Sequence, residues 1–74
     1  MNWLPIETLF IEFRLANWGK GWTWEYSESY ELLLEKIYYA YTAEGLTVDD
    51  CCDRFVQLGQ HIERVAHGHH AVAS

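Results

Sequence analysis

The sequence predicts an all-α fold. The expected architecture is an antiparallel helical hairpin over about 29–44 and 48–67, joined by an N-terminal helix over about 5–18. Together these make a small three-helix bundle, and dimerisation is expected. Three observations lead there. Apolar residues recur at spacings of three and four in each segment. Glycines at Gly19, Gly21 and Gly45 punctuate the segments. Finally, 74 residues with 50% hydrophobic and 16% aromatic side chains hold more ring surface than so short a chain readily encloses alone.

The first segment opens at Pro5, where a missing N–H suits an initial helical turn. Ile6, Leu9, Phe10 and Phe13 form one apolar stripe, and Ile11, Leu15 and Trp18 a second. In the next stretch, Trp22, Trp24 and Tyr26 alternate with Thr23 and Glu25. Taken alone this is a strand pattern, but no partner strand is evident, so an ordered loop or early helical turn is expected there. From Ser29 the pattern is helical. Tyr30, Leu33, Leu34, Ile37 and Tyr41 share one side, Leu32 and Tyr39 widen the arc, and Gly45 suits the stop.

In the third segment Thr47 is placed to cap the N–H of Asp50, and Asp49 and Asp50 suit the positive end of a helix. Val48, Cys52, Phe55, Leu58, Ile62 and Val65 carry its apolar stripe, with Cys51 at the edge. Gly59 inside a helix costs about 1 kcal/mol against alanine and hints that another backbone passes close by. Gly68 is the expected stop, giving one domain over 1–68 and a flexible tail over 69–74.

Charge excludes several functions. Eleven acidic against five basic side chains give a net −6, and Arg14, Lys20, Lys36, Arg54 and Arg64 are scattered. Direct binding to a nucleic-acid backbone needs the opposite balance. No apolar run long enough for a membrane span occurs, no secretory signal is read at the N-terminus, and the adjacent cysteines suit reduced thiols. A cytoplasmic location follows as an expectation.

No arrangement of side chains satisfies a catalytic motif. Ser27 and Ser29 lack a glycine elbow, and Gly19-Lys20-Gly21 is too short for a phosphate loop. A non-enzymatic chain without cofactor is expected. Glu63, His67, His69 and His70 form the one metal-ligand combination, the alternative being a polar chain end that takes up metal adventitiously. The stronger candidate is a surface for another protein. Trp18, Trp22, Trp24 and Tyr26 would anchor, and Glu25, Glu28, Glu31 and Glu35 would steer a basic or apolar partner surface. The same rings would also plug the open end of a small bundle.

Residues Arg14-Leu15-Ala16-Asn17-Trp18-Gly19-Lys20-Gly21-Trp22 resemble the Arg-Leu…Trp-Gly…Trp openings of some small phage regulators, antitermination-type proteins among them. The resemblance covers nine residues. The remainder lacks the basic or zinc-binding DNA-contacting part of those proteins. What the resemblance implies is a phage or mobile-element regulatory or inhibitory protein that occludes a surface of a host protein, in the host-cell cytoplasm. A structural or assembly component of a particle is the further alternative.

Overall fold

The computed structural model describes the backbone of residues 2–73 and the side chains of residues 2–68. It contains three helices, α1 (Pro5–Ala16), α2 (Trp24–Ala43) and α3 (Val48–Ala73), with no strand among the described residues. Each boundary has a local cause. Glu7 Oε1 accepts the N–H of Leu4 at 2.8 Å, closing the first turn of α1 behind Pro5. Asn17 ends that helix, its side-chain amide donating to the Phe13 carbonyl at 2.8 Å.

Helix α2 starts at Trp24, five residues earlier than the periodicity indicated. Thr23 decides this: its Oγ1 accepts the N–H of Tyr26 at 3.0 Å, so the Trp-Glu-Tyr alternation is a first helical turn. At the other end Gly45 takes φ +84, and the N–H of Leu46 donates back to the Tyr41 carbonyl at 3.1 Å. This is the Schellman arrangement, and Leu46 packs against the core beside it. The Thr47 cap forms as expected, with Asp50 N–H donating to its Oγ1 at 3.2 Å. The helix then continues through Gly68 to Ala73, past the expected stop. The side chains of the expected tail, 69–74, lie outside the described residues.

The buried core comprises Phe10 of α1, Ile37 and Tyr41 of α2, and Cys51, Leu58, Ile62 and Ala66 of α3. On α3 this set keeps Leu58 and Ile62 of the expected stripe, with Phe55 packed against it, and differs from the expectation at the two ends. Cys51 is buried and Cys52 exposed, while Val48 and Val65 reach solvent. Leu9, Leu32 and Tyr39 are likewise exposed instead of widening apolar stripes. Helix α1 runs antiparallel to α2, with Glu7 beside Tyr41 and Phe13 stacked on Tyr26. It packs on both other helices more extensively than they pack on each other. Thus α2 and α3 meet near their turn, where Tyr41 and Phe55 lie 5.2 Å apart, and α1 floors a groove between them.

Candidate interaction site

A buried cluster sets the orientation of all three helices. The Glu7 carboxylate is fully enclosed and accepts the Tyr41 hydroxyl at 2.5 Å. Arg54 grips the same carboxylate with two prongs, Nε to Oε2 at 2.9 Å and Nη2 to Oε1 at 2.8 Å. Nη2 also donates to the Asn2 carbonyl at 3.1 Å, and the guanidinium lies 5.0 Å from the Trp3 ring. Trp3 in turn packs on His61 at 5.1 Å. A strap of residues before α1 is thereby fastened across α3.

Burial alone would raise the Glu7 carboxyl pKa. The hydrogen bonds from Arg54, Tyr41 and Leu4, with the Arg54 charge, outweigh burial and hold it below the ordinary 4.5. Burial and the neighbouring carboxylate push the Tyr41 hydroxyl well above its usual range, so it stays a proton donor. Hydrogen bonding to Glu7 raises Arg54 further still. Each polar atom of the carboxylate is accounted for, and all its partners hold it ionised. This arrangement ties the helices together instead of offering a general acid or base.

The ring-rich part of the sequence divides into two groups on opposite sides of α2. The first is a continuous stack. Trp22 stands edge-on to Tyr26 at 4.6 Å and to Tyr30 at 5.5 Å, and Tyr26 stacks on Phe13 at 4.9 Å. Tyr30 reaches Phe10 at 5.4 Å, carrying the stack into the core. Arg14 extends between Tyr30 and Trp18, 5.4 and 5.6 Å from their rings, and Trp18 meets His67 edge-on at 6.4 Å. Trp18, Trp22 and Tyr26 are thus joined to the bundle's open end by ring contacts, while Trp22 remains 67% exposed and Trp18 39%.

The second group faces outward along most of α2. Trp24, Glu28, Glu31, Leu32, Glu35, Tyr38 and Tyr39 fall within an arc of about 120°, roughly opposite Tyr30, Ile37 and Tyr41. Trp24 is 80% exposed, Tyr39 62% and Leu32 52%. Of the acidic residues expected to steer a partner, Glu28, Glu31 and Glu35 are brought into this stripe with Trp24. Glu25 is exposed at its margin, and the hollow beside Trp22 and Tyr26 is lined by Arg14 and Lys20 with none of these carboxylates. Periodicity from Thr23 onward contained the signal, because Trp24, Glu28, Glu31 and Glu35 repeat at four, three and four.

Glu63 and His67 share an exposed face of α3, one helical turn apart. His69 and His70 lie outside the described side chains. No group of three potential metal ligands occurs among the described residues. No described helix is long and apolar enough to cross a membrane. No protein family, curated protein or solved structure matches the chain.

Proposed function

We propose that this chain is a non-enzymatic, dimeric protein-binding module that uses the outer face of α2 to cover a functional surface of a larger protein. The observation that carries this reading is the exposure of Trp24, Leu32, Tyr38 and Tyr39 on one helical face, interleaved with Glu28, Glu31 and Glu35. Large rings left in water have no folding role to explain them, and rings dominate the energetics of protein interfaces. The carboxylates select a partner surface with apolar pockets and basic residues between them. A regulator that works by occlusion agrees with the resemblance of residues 14–22 to small phage proteins.

The test is site-specific photo-crosslinking in the native host. A photoreactive phenylalanine analogue replaces Trp24 or Tyr39 in separate chains, with Glu44 as a control position outside the stripe. The expected result is a covalent adduct with one larger protein from positions 24 and 39 and none from position 44. Adducts formed equally from all three positions, or none from 24 and 39, would overturn the proposal.

A further inference from the structure

The groove between α2 and α3 has a volume of about 620 Å³. Tyr30 and Leu34 of α2 form one wall, Val56, Gly59 and Ile62 of α3 the other, and Phe10 of α1 the floor. Three features of this groove are left incomplete by one chain. A Cβ placed on Gly59 would meet nothing within 4 Å, so the backbone approach expected there is not supplied by the chain itself. Val56 is 58% exposed on the groove's lip. Arg14 and Glu63 both line the groove, yet the one ion pair among the described residues is Arg54 with Glu7. The Nε of Arg14 is buried with no hydrogen-bond acceptor.

We infer that this groove is the dimer interface, filled by α3 of a second copy. This inference rests on the dimeric part of the proposed function and locates it. Helix α3 carries both halves of the contact. Val56, Gly59 and Glu63 line the groove and, with Cys52, repeat at four, three and four as a shallow exposed ridge along its lip, hollow at Gly59. A two-fold axis lays the ridge of each copy into the groove of the other, and such an isologous contact closes at two chains.

Charge favours a second copy as the occupant. Each chain brings one cation and one carboxylate to the groove without pairing them, so two chains supply Arg14 to Glu63 in both directions. The result is a four-helix arrangement of two α2 and two α3 helices, with each glycine where a neighbouring backbone passes. Tyr30 and Leu34 lie across α2 from Trp24 and Glu35, so the dimer leaves both outer stripes uncovered. The assembled molecule then presents two copies of the partner-binding face.

Sedimentation equilibrium on the full chain tests this. The native chain is expected to give the dimer mass, and Gly59→Leu to weaken dimerisation at least tenfold while remaining helical by circular dichroism. Arg14→Glu and Glu63→Arg are each expected to sediment as monomers. Mixed in equal amounts they should re-form a dimer, because each then meets its complement in trans. Any one of three results overturns the inference: a monomeric native chain at near-millimolar concentration, a Gly59→Leu chain that dimerises like the native one, or a mixture that stays monomeric. Loss of the dimer in Trp24→Ala/Tyr39→Ala would assign self-association to the outer stripe, overturning it as well. A monomeric native chain removes the dimeric part of the proposed function as well, whereas the other outcomes bear on the groove alone, and photo-crosslinking to a larger partner is read independently of all of them.

Discussion

Trp3 and Trp24 are the same residue put to opposite uses. Trp3 is half-buried, laid against Arg54 and His61 at the end of the molecule where the strap, α1, α2 and α3 converge. Trp24 begins α2 with most of its indole in water. The first sits beside a network in which each polar atom of the carboxylate has a partner, and the second beside carboxylates that form no ion pair among the described residues. The difference separates two regions within 74 residues: one holds the fold, and the other is the face proposed for contact.

Breaking the first region is expected to have the largest effect. Glu7→Ala strands Arg54 and the Tyr41 hydroxyl and should cost about 3 kcal/mol or more, measured by urea unfolding. Ile37→Ala removes a completely enclosed side chain and is expected to cost about 3 kcal/mol through the lost contacts and the cavity left behind. Tyr41→Phe keeps the packing but deletes one hydrogen bond to a charged acceptor, for about 1.5 kcal/mol in the same assay.

The network also fixes how acid should act. Because Glu7 has a folded-state pKa below 4.5, its ionised form stabilises the fold at neutral pH. That contribution is fully present above the unfolded-state value and disappears as the pH drops through the folded-state one. Unfolding free energy measured from pH 6 downward should therefore fall more steeply for the native chain than for Glu7→Gln, which starts lower and changes less.

The smallest expected change has the opposite sign. Gly59→Ala adds a methyl group into open space on an exposed helical position and should raise the helical stability of the single chain by up to about 1 kcal/mol. Thermal melting of dilute protein checks this. An unfavourable change there would mean that Gly59 is already crowded within the monomer.

Much of the fold was legible in sequence because its signals are local. The Thr47 cap, the Gly45 stop and the Tyr30–Ile37–Tyr41 face each follow from a few neighbouring residues. The start of α2 is ambiguous in sequence because the ring alternation after Gly21 resembles a strand, while the deciding hydroxyl of Thr23 lies three residues ahead of the N–H it caps.

The burial of Cys51 in place of Cys52 has a long-range cause. Cys52 and Cys51 both extend the Phe55–Leu58–Ile62 face at helical spacing, and Arg54, fixed by a carboxylate 47 residues away in sequence, favours Cys51. Even so, the network left a trace. Glu7 lies three residues from Leu4 and from Phe10, and Arg54 three from Cys51 and four from Leu58, so two opposite charges interrupt apolar faces. The candidate residues are legible in sequence, but their division is not: Trp22 and Tyr26 lie in the stack and Trp24 in the outward stripe. Only the early start of α2 reveals that division.

The central claim is that the outward stripe of α2 contributes to contact and not to folding. Urea unfolding of Trp24→Ala/Tyr39→Ala beside the native chain tests it most directly, at a concentration where both have the same oligomeric state. The account predicts free energies that agree to within about 0.5 kcal/mol, with unchanged slopes. A loss of about 2 kcal/mol or more would show that these rings hold the fold together, and the separation of tasks would be contradicted.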